Sequence, residues 1–336
     1  MKRATSPSQF LDAQPLFPDA QLLSTSMTRS FAVFLLLWTF LLGAGCHSFS
    51  PAPETRWTMI NVNPGEAQAD CHLIEFPDGK KVLIDVANAA DARGTALAYL
   101  QGKKIKHIDL VVISHFHRDH YGCLVDLIKS GVTVGRVAIN LPASREIADV
   151  ERPWGADWED IQATLQFLRD QKIACFTPKA GDRLLEMSVG GVSVHLDVIC
   201  LFDGINTPIG QTDMNDTSII ARLAHGPTRA LFTGDLNNRL GTYLAEKNFD
   251  VAADLLKAPH HGTEGLAPNE FFALVNPKAL LVPSPTKLWF SLRSKRTREY
   301  FAERKIPAYV SGVNGHVVVS MNERGFSVAT ERPSAP

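Results

Sequence analysis

Ser114-His115-Phe116-His117-Arg118-Asp119-His120-Tyr121-Gly122 places three histidines and one aspartate within six residues. The run before it, Ile108 to Ile113, is almost wholly apolar and reads as a buried strand. In extended chain, side chains two apart share a face, so His115 and His117 can reach one metal ion together as the strand runs out. Asp119 and His120 follow the turn, face elsewhere and could hold a second ion. Imidazole and carboxylate donors suit zinc, and also manganese or iron. A polar loop with chance histidines is the bland alternative; four metal-capable side chains at H-x-H-x-D-H spacing behind a strand speak against it.

Three later stretches extend this reading. Leu231-Phe232-Thr233-Gly234-Asp235-Leu236 is a strand ending in Gly-Asp. Asp235 can bridge two ions there, because each carboxylate oxygen can bind one; alone, the motif also reads as a turn or helix N-cap. Lys257-Ala258-Pro259-His260-His261-Gly262-Thr263 puts adjacent histidines in a Pro/Gly loop, and both can approach a cleft. Asn215-Asp216-Thr217-Ser218 precedes a strand. Asn215 or Asp216 could bind metal weakly or hydrogen-bond a substrate, and plain turn chemistry explains the stretch equally well. A dinuclear site needs ligands from several strand ends, so the patches support one another.

The chain has 336 residues, 45% apolar and 21% charged, with net charge −1. That is enough for a full core and gives no bulk attraction to nucleic acid. Phe31 to Gly45 is an apolar run of about fifteen residues, short for a membrane span but suited to a signal-peptide core. Met27 and the basic flank Thr28-Arg29-Ser30 offer a start of normal leader length. Gly43-Ala44-Gly45-Cys46 is similar to a bacterial lipoprotein cleavage box, departing from it at Gly43 where Leu is usual. The expectation is a leader over 1–46, a tether over 47–56 and one domain over 57–330. The protein would then be exported and held at the membrane through lipidated Cys46, on the periplasmic or extracellular face; plain secretion and an uncleaved anchor are the alternatives. Cys71, Cys123, Cys175 and Cys200 form no C-x-x-C pair and read as small buried residues. Oligomeric state has no signature in the sequence.

Strands are expected over 57–62, 71–76, 81–86, 108–113, 134–140 and 279–283, and hairpins over 184–199 and 217–232. Helices are expected over 94–101, 122–130, 161–171, 240–247, 271–275 and 294–304. Runs of hairpins and helices suit an α+β fold of two mixed sheets packed face to face with helices outside, rather than strict β-α-β alternation. The halves would be residues 55–200 and 201–330. The segment from Lys287 to Arg298 mixes five cations with two aromatics and could contact phosphates; a solvated helix is the simpler reading.

With these motifs in place, residues 57–320 resemble the metallo-β-lactamase superfamily, and within it the ComEC-type (competence protein ComEC/Rec2-like) hydrolase domains. Ile60-Asn61-Val62, Asp70 to Glu75, Leu83-Ile84-Asp85, His115, His117, Asp119, His120, Asn215 to Ser218, Thr233-Gly234-Asp235 and His260-His261-Gly262 carry the resemblance. It implies a four-layer αββα sandwich with two divalent metal ions, zinc first among candidates, at the strand ends. His115 and His117 would hold the first ion, Asp119 and His120 the second, with Asp235 bridging. The family's last ligand is a histidine followed by Gly, which points to His261 and leaves His260 near the substrate as proton donor; a different loop fold would swap them. Asn215 stands where many relatives have a third histidine, which opens the first site. Asp119 would orient the nucleophilic water as well as bind metal.

The reaction expected is hydrolysis of a phosphodiester or other phosphate ester, a small molecule or DNA, with Asn215, Lys287 and Arg293 as substrate contacts. A lactonase or β-lactamase-type acyl hydrolase is the alternative enzyme. A lipid-anchored binding protein with a relic fold is the alternative without catalysis, and the full ligand set argues against it.

Overall fold

The computed structural model describes residues 52–62, 68–88 and 95–333. The apolar run at 31–45, Cys46 and the tether up to Pro51 lie outside the described residues. Among the described residues no helix is long and apolar enough to cross a membrane.

Fifteen strands are described, in chain order β1 (Thr55–Met59), β2 (Cys71–Glu75), β3 (Lys81–Val86), β4 (His107–Val112), β5 (Thr133–Ala138), β6 (Ala174–Phe176), β7 (Arg183–Val189), β8 (Val192–Cys200), β9 (Ile220–His225), β10 (Thr228–Phe232), β11 (Leu255–Lys257), β12 (Ala279–Val282), β13 (Ala308–Val310), β14 (Val317–Asn322) and β15 (Gly325–Thr330). One sheet runs β15-β14-β1-β2-β3-β4-β5-β6, the other β13-β12-β11-β10-β9-β8-β7.

Side-chain alternation sorts the strands into layers. Ile74, Val82 and Leu110 of the first sheet share a core with Leu223, Ala230 and Leu281 of the second. Their neighbours Leu73, Leu83 and Val111 point the other way, onto Leu97, Leu124 and Leu165 of helices Ala96–Gly102, Leu124–Lys129 and Trp158–Asp170. On the far side Leu231, Leu256 and Leu280 meet Leu240, Phe271 and Phe301 of helices Asn238–Glu246, Asn269–Val275 and Lys295–Glu303. Three apolar layers between four layers of structure give the expected αββα sandwich. The Trp158–Asp170 helix starts three residues before Ile161, its first buried position, because the Asp157 carboxylate accepts the Glu159 and Asp160 N–H groups at 3.0 and 3.3 Å.

Both sheets are mixed, as expected, and the division between them needs correction. β3 to β6 are mutually parallel, as are β10 to β13, with helices between successive members. Each sheet thus holds β-α-β units beside its hairpins. Buried parallel strands give short continuous apolar runs, from which sequence pattern does not read direction. The division falls between β6 and β7 rather than at residue 200, and the hairpin β14–β15 returns to the first sheet beside β1. Strand boundaries shift by a few residues: β1 begins at Thr55, and the strand expected from 217 begins at Ile220 after a 3-10 turn over Asn215–Thr217.

The parallel strands matter for function. Their C-terminal ends face one way in each sheet; Asp85 sits near the end of β3, and the loops that leave β4, β10 and β11 carry the histidine cluster, Asp235 and the paired histidines. Ligand sites form at such ends in open α/β sheets.

Candidate metal centre

The chain turns directly after β4. His117 is extended (φ −87°, ψ 145°), and Arg118–Tyr121 forms a single helical turn that swings Asp119 and His120 away from His115 and His117. His115 Nε2 and His117 Nδ1 come within 3.1 Å, and Asn215 Oδ1 lies 3.0 Å from the same His117 nitrogen. Three donors therefore converge on the first position, with an amide oxygen as the third.

The second position is built from four residues. Asp119, His120, Asp235 and His261 each place one donor atom within 4.8 Å of the others. Asp235 Oδ2 lies 3.2 Å from His120 Nε2 and 3.2 Å from His261 Nε2, which is also 3.2 Å from Asp119 Oδ2. The His115 and His120 rings are 4.1 Å apart between centroids, so the positions adjoin. Buried nitrogens at His120 Nε2 and His261 Nε2 have no hydrogen-bond partner among the described residues. Inward-facing imidazole nitrogens without partners, collected around carboxylate oxygens, fit divalent cations.

Backbone geometry puts these groups in place. Gly234 has φ +50°, and a Cβ there would come within 2.3 Å of Ser218 Oγ, the atom that accepts the Asp235 N–H at 3.0 Å. Only glycine lets β10 turn that closely. His260 and His261 are both left-handed (φ 45° and 53°) and are followed by Gly262 at φ +75°. Successive non-glycine residues in that region are strained, which is typical of backbone held to aim a side chain. The turn delivers His261 into the cluster; His260 is left 4.0 Å from Asp235 Oδ2, lining the cavity beside it.

Behind the metal-facing nitrogens stands a set of acceptors that the sequence reading assigned no role. Asp85 Oδ2 lies 2.8 Å from His120 Nδ1, Asp70 Oδ1 3.0 Å from His261 Nδ1, and Glu151 Oε2 3.7 Å from His117 Nε2. Carboxylates in this position fix imidazole tautomer and orientation. Asp85 also accepts the Ser114 N–H at 2.7 Å. Lys257 is fully buried, ion-paired to Asp70, 3.3 Å from Asp235 Oδ1 and donating to Gly234 O at 2.9 Å. Of the two Asp235 oxygens, Oδ2 faces His120 and His261 while Oδ1 lies 3.3 Å from Lys257 Nζ. A charged residue closing an apolar strand was the available sign at Asp85 and Lys257. Glu151 gave none, since it follows a surface helix 34 residues from His117.

The charges are tightly balanced. Burial opposes ionisation throughout, but His261, His120 and Lys257 hold the Asp235 carboxyl well below its usual range, and Lys257 and His261 do the same for Asp70. Conversely, burial is outweighed by Asp235 and Asp85 at His120, and by Asp235 and Asp70 at His261, so both imidazoles rise well above 6.5. Burial and the neighbouring His120 push His115 well below it. Without metal the cluster holds together as imidazolium–carboxylate pairs. Since the folded values of His120 and His261 exceed the unfolded one, their contribution is complete below about pH 6.5 and is lost as pH rises through the folded values. Chelator-treated protein is therefore expected to lose stability as pH rises above about 6.5, measured by urea melts, while metal-loaded protein does not; parallel curves would contradict the cluster.

The site opens into a cavity of about 550 Å³. His117, Asp119, Asn215, Asp235, His260 and Arg293 line it, with Glu151, Trp154, Asp213, Asp216 and Arg239 farther round. Arg293 reaches the lining while paired to Glu264 at 2.6 Å. Lys287 sits on the exposed turn Thr286–Trp289, outside the lining. Burial and then Asp213 push the Asp216 carboxyl up to about 7. Burial pushes His260 down.

Residues 64–168 match the family described as the Metallo-beta-lactamase superfamily. The chain is 22% identical over 213 residues to ComE operon protein 3 of Bacillus subtilis (strain 168), an alignment that covers 62% of this chain and 22% of that protein. The chain thus spans about a fifth of that relative's length. Among solved structures it is similar to CmlA, a diiron beta-hydroxylase from Streptomyces venezuelae (TM-score 0.43, 13% identity, 77% of this chain and 53% of that one). It is also similar to a diphosphatase from the PhnP family (TM-score 0.40, 14% identity, 76% and 94%).

Proposed function

We propose that this chain of the metallo-β-lactamase superfamily is a metal-dependent hydrolase acting on phosphodiesters or other phosphate esters. The supporting observation is the adjoining pair of donor sets, with Asp235 Oδ2 at the seam, opening into a cavity that two arginines line. Guanidinium groups match phosphate oxygens better than they match a neutral acyl substrate. His115, His117 and Asn215 would hold one ion; Asp119, His120, His261 and Asp235 would hold the other, zinc, manganese and iron all being compatible with these donors. When bound, the pair supplies an activated water and offsets charge developing on the phosphoryl oxygen.

The chain's own groups do the rest. Asp119 is 21% exposed, the most open of the ligands, and can accept a proton from the water and keep it in line. His260 and Asp216 both border the cavity. Asp216, half-protonated near pH 7, joins His260 as a candidate proton donor. The apolar run at 31–45 and Cys46 support export and a lipid anchor.

The test offers metal-loaded protein bis(p-nitrophenyl) phosphate and single-stranded DNA, with nitrocefin and a lactone alongside. Phosphodiester turnover alone is expected; acyl turnover alone would reverse the assignment. A second outcome concerns pH. The Asp216 proton is present below about pH 7 and lost above it, so kcat should fall on the alkaline side with a midpoint near 7. Asp216→Asn should remove that limb; a limb unchanged in the variant would clear Asp216 of the role.

A further inference from the structure

The metal centre occupies one end of the first sheet, and the opposite end is basic. A cleft of about 570 Å³ opens there, lined by Lys80, Lys81, Lys103, Lys104, Lys106 and His107 together with Glu75, Asp78 and Asp109. Two separate segments supply the cations: the turn from β2 into β3, and the link from helix Ala96–Gly102 into β4. Lys80, Lys103, Lys104 and Lys106 are exposed. Among the described residues Lys80 alone of the five lysines is ion-paired, to Asp78 at 2.7 Å. Asp109 Oδ2 accepts the Lys81 backbone N–H at 2.8 Å, while the Lys81 ammonium donates to Gly79 O at 2.9 Å. Lysines at a helix C-terminus balance its dipole. That accounts for Lys103 and Lys104, but not for Lys80, Lys81 or Lys106 beside them.

The chain enters the sheet at this same end. Arg56 of β1 pairs with Glu75 of β2, and Glu75 with Lys81 of β3. Thr55, the first residue of β1, is therefore about two strand spacings, or about 10 Å, from the cleft. Cys46 stands nine positions earlier, and nine residues span at most about 30 Å. A membrane holding the chain at Cys46 lies within short reach of the lysines.

Charge and position select the occupant. A single-stranded nucleic acid wants a continuous basic track with stacking aromatics. Here three carboxylates interrupt the lysines, and no Phe, Tyr or Trp of the described residues lines the cleft. Anionic headgroups present a diffuse negative surface, which lysines without carboxylate partners meet with no need of a track.

We infer that the lysine cleft docks on anionic phospholipid headgroups of the membrane that holds the chain; this rests on the lipid-anchor reading. Asp85 and the histidine cluster stand at the opposite ends of β3 and β4, so the metal cavity then faces away from the bilayer and takes its substrate from the aqueous side.

The experiment takes the full chain purified from membranes and reconstitutes it in vesicles of phosphatidylcholine, with or without phosphatidylglycerol. A membrane-impermeant N-hydroxysuccinimide ester acetylates accessible lysines. Peptide mass spectrometry reads each one relative to Lys295, two positions from the cavity-lining Arg293. The expected result is acetylation of Lys103, Lys104 and Lys106 lowered at least about threefold by phosphatidylglycerol and restored in about 0.5 M salt. In the triple variant Lys103→Gln, Lys104→Gln, Lys106→Gln, the remaining Lys80 and Lys81 should lose their protection. In Lys103→Arg, Lys104→Arg, Lys106→Arg they should keep it; melting temperatures of both variants are checked first. Equal acetylation on the two kinds of vesicle overturns the docking, whatever Cys46 carries. Protection by single-stranded DNA in place of phosphatidylglycerol overturns it too. The intact mass of the membrane-derived chain reads Cys46 separately: lysine protection with unmodified Cys46 keeps the docking and removes the lipid anchor.

Discussion

Asp235→Ala is expected to lower phosphodiester turnover by at least about a thousandfold, equivalent to about 4 kcal/mol of transition-state stabilisation. The size follows from position. Asp235 Oδ2 faces His120 and His261 at 3.2 Å, and Oδ1 faces Lys257 at 3.3 Å. Alanine removes the carboxylate at the seam of both donor sets and leaves two imidazoles and an ammonium facing one another. Metal content after dialysis should fall with activity, below one ion per chain. Full metal content with full activity in this variant would remove the dinuclear centre from the account.

Lys257→Met is expected to destabilise the protein by roughly 3–5 kcal/mol, the usual cost of removing one partner from a buried ion pair. Burial opposes the charge on Lys257, yet Asp70 and Asp235 hold its pKa above the usual lysine value. Methionine fills the volume but leaves Asp70, itself fully buried, with only histidine partners. Unfolding in urea measures the loss. The double variant Lys257→Met, Asp70→Leu should recover much of the stability, because no charge is then stranded. It should not recover metal affinity, because His261 Nδ1 has lost the carboxylate that orients it. If affinity returned with stability, Asp70 would be part of the packing and not of the metal centre.

Much of the ligand set was legible because the ligands are chemically conspicuous. His115, His117, Asp119, His120, Asp235 and His261 come together in the fold, and Asn215 Oδ1 lies 3.0 Å from His117 Nδ1. Groups that act through others were not legible. Asp70, Asp85 and Glu151 are ordinary acids until the fold brings them behind an imidazole, and Lys257 looks like a strand-end lysine until three acceptors surround it. The αββα layering was expected from the family resemblance, and the runs of hairpins and helices pointed to two facing sheets with helices outside. Strand direction was not legible, because parallel and antiparallel neighbours bury the same side chains. The aim of His260 and His261 depends on left-handed backbone at two non-glycine residues, a departure that local propensity argues against.

The return of β14 to β1 has a consequence for biosynthesis. β1 pairs Thr55 with Met321 on one side while pairing Arg56 with Glu75 on the other. A nascent chain can release its metal-binding residues from the ribosome well before that last hairpin exists, yet the first sheet keeps a bare border until Val317 to Thr330 arrive. Pairings of such sequence separation form slowly. Completion of the first sheet therefore waits on residues 317–330, and a chain interrupted before them would present β1 as an open template for other strands.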